Sequence, residues 1–170
     1  MHSNKILTRP ERAGINLDTM SQSLTKIYVH IVFHVKSQSL TINPTHKHLL
    51  YSYIRTVISD RDSVPIEING TSDHIHILCL LSKNIALSKL VEDIKRHSSR
   101  WIKTLDDKYS KFAWQGGYAA FSVSQSVLEK TISYIKNQEE HHRKRSYKEE
   151  VMLFLKEYGM EYNEDYFFSD

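Results

Sequence analysis

The segment IYVHIVFHV, residues 27–35, contains β-branched and aromatic residues one after another. Such a run predicts a β-strand. Successive side chains of a strand point to opposite faces, so Tyr28, His30, Val32 and His34 share one face. The aliphatic residues between them, together with Phe33, share the other face, which predicts a strand that is buried on one side and carries histidines on the other.

The rest of the chain contains a regular series of predicted helices and strands. Apolar residues at helical spacing predict helices, and short β-branched runs predict strands. The predicted elements are a helix at 45–59, strands at 64–69 and 73–81, a helix at 87–105, a strand at 118–124, a long helix at 127–145 capped by Ser124 or Ser126, and a last helix at about 147–158. The order βαββαβ predicts an α+β, ferredoxin-like fold: an antiparallel sheet with helices on one face, plus C-terminal helices. The first and third strands are central in that topology, so their histidines lie side by side on the open face.

Length and composition limit the class of protein. A chain of 170 residues predicts one domain, here residues 20–148, preceded by an extension at 1–19 and followed by an acidic helix and tail at 149–170. One cysteine excludes a disulfide scaffold and a CxxC metal site, and it fits the cytoplasm. No apolar stretch is long enough for a membrane span.

The net charge of +3 conceals an uneven distribution. Residues 20–148 carry a formal charge of +8, whereas residues 149–170 carry −6. A basic body with an acidic tail predicts a polyanionic partner.

Two pairs of residues predict chemistry. His74 and His76 are two residues apart on a strand, which places both imidazoles on one face, close enough to share a transition metal ion. Tyr134 and Gln138 are four apart on a helix, so a nucleophilic hydroxyl and a ligating amide oxygen share one face. Ordinary strand histidines and a tyrosine packed against Ile135 are the structural alternatives. Together, the pairs predict a metal-polarised phosphate attacked by tyrosine.

These segments resemble those of the small tyrosine transposases of the IS200/IS605 family, within the HUH endonuclease superfamily. The matching segments are YVHIVFHVK at 28–36, DHIHIL at 73–78, DIKRHSSRWIK at 93–103, WQGGYAAFSVS at 114–124 and ISYIKNQEEHH at 132–142. The resemblance implies that His74, His76 and Gln138 bind Mg²⁺ or Mn²⁺ and that Tyr134 is the nucleophile. It also implies cleavage and rejoining of single-stranded DNA with hairpins through a 5′-phosphotyrosine, by a homodimer whose active sites combine the histidines of one subunit with the tyrosine of the other.

Contacts to DNA are predicted from the remaining cations. Lys36 follows the first strand, and Arg96, Arg100 and Lys103 form the basic side of the helix at 87–105, where they are candidates for phosphate contacts. Two other functions remain open. A non-catalytic single-stranded nucleic-acid-binding module would stack bases on the open sheet face, and a metal hydrolase would act on small phosphates.

Overall fold

The computed structural model describes residues 23–36, 41–142 and 145–164, although the side chains of His141 and His142 are excluded. The extension predicted at 1–19 lies outside the described residues. The helices and strands, in chain order, are β1 (Tyr28–His34), α1 (Pro44–Ser59), β2 (Val64–Gly70), β3 (His74–Leu80), α2 (Leu87–Ile102), β4 (Ala119–Val123), α3 (Leu128–Lys136), α4 (Gln138–His142) and α5 (Tyr147–Glu157). Short 3₁₀ turns precede β4 and α3.

The four strands form one antiparallel sheet in the order β2-β3-β1-β4. The predicted α+β class and the central position of the first and third strands are therefore confirmed. In the β1–β3 ladder, His34 pairs with His74 and Val32 with His76. Because directly opposed residues project from the same face, this register brings the histidines of the two strands together.

The two faces of the sheet support different layers. Helices α1 and α2 cover one face, where Val29, Ile31 and Phe33 of β1 pack with the apolar stripes of both helices in the main core. The opposite face carries the histidines, and it is not open as predicted. Helices α3, α4 and α5 cover it, so that His30, His74 and His76 are buried.

The C-terminal helices differ from the prediction in one respect. The single helix predicted at 127–145 is two helices, because Asn137 leaves helical geometry at φ −96° and ψ 22° and ends α3. Asparagine is a weak helix former whose side chain competes for backbone hydrogen bonds, which explains the break. Neither predicted serine caps the helix through its side chain; a 3₁₀ turn at Gln125–Val127 leads into α3 instead.

Helix α5 has well-defined ends and spans the predicted domain boundary at 148/149. A reciprocal capping box between Ser146 and Glu149 begins it. Gly159 ends it at φ +60°, and the Met160 amide donates to the Leu155 carbonyl, which is the Schellman pattern. Its buried residues Tyr147, Val151 and Leu155 pack on the sheet. Helix α5 is therefore an integral layer of the domain.

Within the described part of the chain, no helix combines the length and the apolar character that a bilayer crossing requires.

Asp93 on α2 makes a testable contribution to stability. Its carboxylate is 2% exposed and accepts hydrogen bonds from Arg61 Nε at 2.6 Å and Arg96 Nη2 at 2.9 Å. The hydrogen bond from Arg61 is the main reason that its pKa falls from 3.8 to about 2. A lowered folded-state pKa stabilises the fold above about pH 4, and this stabilisation disappears as the pH falls from about 4 to 2.

We therefore expect Asp93→Asn to lower the free energy of unfolding at pH 7 by about 1 to 3 kcal/mol, because the cations lose their anionic acceptor. The variant should also lose part of the stability difference between pH 7 and pH 2.5, measured by urea unfolding. The exposed Asp107→Asn is the control. Equal pH dependence in Asp93→Asn and the parent protein would contradict this role.

Candidate active site

The centre of the covered sheet face holds two adjacent imidazoles. His30 of β1 and His76 of β3 stack with ring centroids 5.1 Å apart, and His30 Nε2 lies 2.9 Å from His76 Nδ1. Burial, reinforced by the neighbouring His76, holds the pKa of His30 well below its usual value. Nε2 of a neutral His30 can accept a hydrogen bond from the Nδ1–H of His76, and this tautomer of His76 directs the lone pair of its Nε2 into the site.

His74 is oriented in a comparable way by the turn that precedes β3. Its Nδ1 lies 2.7 Å from Asp73 Oδ1 and 2.8 Å from Thr71 Oγ1. Because a carboxylate only accepts, His74 Nδ1 carries the proton and Nε2 keeps its lone pair. The contact with Asp73 therefore fixes the orientation of the His74 ring.

A carboxylate from α5 meets both histidines. Glu150 Oε2 lies 3.6 Å from His74 Nε2 and 3.5 Å from His76 Nε2. Burial raises the pKa of Glu150, although the nearby His74 and His30 oppose the rise. Gln138 joins the group because its Nε2 donates to Glu150 Oε1 at 3.2 Å. Four side chains from β3, α4 and α5 therefore converge on one buried point.

This donor set fits a divalent metal ion. One ligand atom each from His74, His76 and Glu150 lie within 4.8 Å of one another, and all three residues are buried. Gln138 Oε1 is also buried and has no hydrogen-bond partner among the described residues. A buried acceptor without a donor is costly, and a cation beside it would remove that cost. Two imidazoles with two oxygen donors suit Mn²⁺ or Mg²⁺.

Tyr134 projects from α3 to the edge of this group. Its ring centroid lies 6.0 Å from that of His76 and 6.3 Å from that of His30. The ring also lines a cleft of about 710 Å³ between α3 and α5, together with His30 and Glu150. Tyr134 is therefore partly exposed beside the buried donor set, at the wall of an open cleft.

The helix that carries Tyr134 is attached to the sheet of its own chain. Asn69 at the end of β2 donates from Nδ2 to the carbonyls of Ile135 and Lys136, at 3.0 and 2.9 Å. Ile135 is fully buried in a cluster with Tyr28 and Leu78. These contacts place Tyr134 and the histidines of one chain together.

The structure thus gathers the four residues that the sequence analysis selected for catalysis and metal binding: His74, His76, Tyr134 and Gln138. It does not bring the predicted DNA contacts to them. Arg96 and Arg100 are on α2, and Lys103 follows it, so they lie in the layer across the sheet, and Arg96 pairs with Asp93 and Glu92. Lys36 is exposed just beyond β1, whose last residue pairs with His74.

Sequence reasoning missed Glu150, which was assigned to the acidic tail. One signal could have found it. Tyr147, Val151 and Leu155 form an apolar stripe on the final helix, and Glu150 lies on that stripe as its one acidic member. A carboxylate on the buried side of an amphipathic helix needs a partner, but the identity of the partner depends on packing.

The segment WQGGY, residues 114–118, also has a structural role in this chain. Gln115 Oε1 accepts from the His34 amide at 2.8 Å and from the Tyr147 hydroxyl at 3.1 Å. This side chain therefore connects β1 to the start of α5, and so helps to hold Glu150 over the histidines. Trp114 Nε1 donates to Ser98 Oγ at 2.9 Å, on the other side of the sheet.

Comparison with known proteins is consistent with this geometry. The model of the family described as IS200-like transposases matches residues 23–138. A predicted transposase from Deinococcus radiodurans R1 has a similar structure, with a TM-score of 0.55 and 16% identity over 72% of this chain and 98% of that one. A REP-associated tyrosine transposase bound to a REP hairpin gives a TM-score of 0.54 and 15% identity over 74% of each chain. No curated protein matches this chain in sequence. Because the family model covers well over half of the chain, the protein belongs to the family of IS200-like transposases.

Proposed function

We propose that this protein cleaves and rejoins single-stranded DNA, with Tyr134 as the nucleophile. The observation that carries the proposal is the position of the Tyr134 ring, 6.0 Å from the ring of His76 and beside the donors His74, Glu150 and Gln138. A nucleophile next to a cluster of candidate metal-binding donors suits metal-assisted phosphoryl transfer through a covalent intermediate.

The reaction follows from the chemistry of the phenol. Tyr134 Oη attacks the phosphorus of a phosphodiester, a bond forms between them, and the bond from phosphorus to the 3′ oxygen breaks. The proton of the phenol is lost, and the departing 3′ oxygen gains one, which leaves a 5′-phosphotyrosine and a free 3′-hydroxyl. Attack by a 3′-hydroxyl on the phosphotyrosine reverses these changes and rejoins DNA without a nucleotide triphosphate.

The other side chains bind and orient. Asp73 and Thr71 set the tautomer of His74, and His30 sets that of His76, so that both Nε2 atoms point at Glu150. We propose His74, His76 and Gln138 as ligands of Mn²⁺ or Mg²⁺, with Glu150 as a further ligand. When bound, such an ion would polarise the phosphate and stabilise the charge of the transition state. The oxygen donors make both ions suitable, and imidazoles favour Mn²⁺ in affinity.

For the substrate, we propose single-stranded DNA that carries hairpins. A structurally similar protein is a tyrosine transposase bound to a REP hairpin, and residues 20–148 carry a charge of +8. Lys36, Arg96, Arg100 and Lys103 are proposed to contact phosphates away from the active site, on the far side of the sheet or at its edge.

Such a protein would act in the cytoplasm, where the chromosome is accessible. A non-catalytic binding module is disfavoured, since it has no use for a buried cluster of residues that could hold a metal ion.

We further propose that Tyr134 acts with the histidines of its own chain. The resemblance implied a homodimer with trans active sites, and the homodimer stays a prediction. Support for a cis site comes from the hydrogen bonds between Asn69 and the end of α3 and from the buried Ile135. In a trans site, α3 would instead make these contacts with the sheet of the partner subunit.

The test of the proposed function is the covalent intermediate. The protein is incubated with end-labelled hairpin oligonucleotides that carry single-stranded flanks, in Mn²⁺, Mg²⁺ or EDTA, and then denatured and separated by electrophoresis. We expect a metal-dependent protein–DNA adduct and a product with a free 3′-hydroxyl, with peptide mapping of the adduct identifying Tyr134. An adduct at another residue, or turnover of free nucleotides without any adduct, would contradict the proposal.

The role of Glu150 makes a separate prediction. Glu150→Gln removes a negatively charged ligand, and we expect the affinity for Mn²⁺, measured by isothermal titration calorimetry, to fall at least about tenfold. Glu157→Gln, an exposed residue of the same helix, is the matched control and should bind Mn²⁺ as the parent does. Unchanged affinity in Glu150→Gln would show that the carboxylate is not a ligand.

A further inference from the structure

The cleft between α3 and α5 extends well beyond the reacting groups. Its volume of about 710 Å³ lies in the range of pockets that hold a small organic ligand. Lys130, Thr131 and Tyr134 of α3 form one wall, and Leu153, Phe154 and Lys156 of α5 form the other. Residues of both helices, and not the sheet alone, therefore determine what can approach Tyr134.

The α5 wall is aromatic and partly exposed. The Phe154 ring lies edge-on to Tyr134 with centroids 5.6 Å apart, and edge-on to His30 at 5.4 Å. Tyr158, which is 44% exposed, continues this wall and is held by a hydrogen bond from its hydroxyl to the Ser122 carbonyl. Exposed aromatic faces that are fixed in position are the surfaces on which unpaired bases stack.

The rim of the cleft is cationic on both sides. Lys130 of α3 and Lys156 of α5 are exposed, and neither forms an ion pair with another residue in the described ranges. Arg145 also lines the cleft, although its positive charge interacts with the carboxylate of Glu149. Of the two lining carboxylates, Glu150 faces the histidines, which leaves Glu157 at the rim. Two lysines that flank an aromatic wall match the alternation of phosphate and base along a single strand.

We propose that this cleft binds the single-stranded nucleotide next to the phosphate that Tyr134 attacks. The base stacks on Phe154, and Lys130 and Lys156 contact the adjoining phosphates. The proposal rests on the proposed function for the position of the scissile phosphate. It assigns α5, which lies outside the residues that the family model matches, to substrate binding. Although residues 149–170 carry a charge of −6, the part of this segment that lines the cleft presents Lys156 and two aromatic rings beside Glu157 at the rim.

The experiment measures binding in EDTA, so that no cleavage occurs. The probes are an unstructured thymine oligonucleotide of about eight nucleotides, a hairpin with a single-stranded flank, and the same hairpin without a flank. Affinity is measured by fluorescence anisotropy over a range of salt concentrations. The variants are Lys130→Gln/Lys156→Gln and Phe154→Leu, and the matched control is Lys83→Gln/Lys111→Gln, which removes two exposed lysines in loops outside the cleft.

We expect the Lys130→Gln/Lys156→Gln protein to bind the thymine oligonucleotide and the flanked hairpin about tenfold more weakly. The slope of log affinity against log salt should fall by about 1.4, because each phosphate contact on a single strand contributes about 0.7. Phe154→Leu keeps an apolar side chain but removes the ring, and it should weaken binding of both probes at least about fivefold without a change in the salt slope. Binding of the flankless hairpin should be unchanged in both variants.

Equal loss for the flankless hairpin, or equal loss in the control variant, would overturn the proposal, because the lysines would then act on the stem or through net charge. Unchanged affinity in both cleft variants would also overturn it. Thermal melts of each variant verify folding. If the lysine variant has a lowered melting temperature, Phe154→Leu provides an independent test of the cleft. If the parent protein forms an adduct at Tyr134 but the cleft variants bind the probes as tightly as the parent does, this inference alone is refuted. If the cleft variants lose binding but the parent protein forms no adduct, the proposed function alone is refuted.

Discussion

A chain carrying Tyr134→Phe is expected to form no covalent complex with DNA and to lose strand cleavage by at least about 10³-fold. Phenylalanine keeps the ring that packs against His76 and Phe154, so the fold and the cleft are preserved. Only the hydroxyl that would attack phosphorus is absent. The measurement is adduct formation on flanked hairpin oligonucleotides in Mn²⁺, together with anisotropy to show that DNA binding is retained.

Tyr28→Phe provides the matched control. Tyr28 lies on the same sheet face and donates its hydroxyl to Gln125 at 3.1 Å, outside the cluster of metal-binding donors. This variant should form the adduct at the parent's rate. A mixture of Tyr134→Phe and His76→Ala chains should remain inactive if the active site is formed in cis. Restored cleavage in the mixture would instead support the trans arrangement, and an adduct in Tyr134→Phe itself would remove Tyr134 from the mechanism.

Gly70→Ala is expected to produce the largest loss of stability. A Cβ at Gly70 would overlap the His74 carbonyl oxygen and would lie 2.9 Å from Ile75 Cα. Both neighbours are backbone atoms of the paired strand, so neither can rotate away, and the end of β3 must move. We expect the free energy of unfolding to fall by about 2 to 4 kcal/mol and the melting temperature by roughly 5 to 15 °C.

The displacement should also affect function, because His74 begins β3 at this point. We expect weaker Mn²⁺ binding in Gly70→Ala even below its melting temperature. Gly116→Ala is the matched control, since a Cβ there has no atom within 4 Å, and it should melt within about 1 °C of the parent protein. A Gly70→Ala protein that melts with the parent would contradict the close approach of β2 and β3.

Much of the fold could be predicted because its signals are local. The run at 27–35 has the alternation of a strand buried on one face, and β1 matches it to within a residue at each end. Helices α1 and α5 also match their predicted bounds closely. The break at Asn137 was missed because a weak helix former inside an amphipathic pattern stops a helix only when tertiary contacts favour the stop. Here Asn69 binds the carbonyls of Ile135 and Lys136 at that position.

The order of the elements and the spacing of their side chains were enough to predict the central pair of strands, the face that carries the histidines, and the candidate residues His74, His76, Tyr134 and Gln138. Periodicity and spacing contain this information because they describe which side chains of one element share a face. The packing of the helices was needed to reveal that α5 covers this face, that Glu150 meets both histidines, and that Lys130 and Phe154 border one cleft. Contacts between elements distant in sequence depend on how the layers pack, and no local pattern encodes that packing.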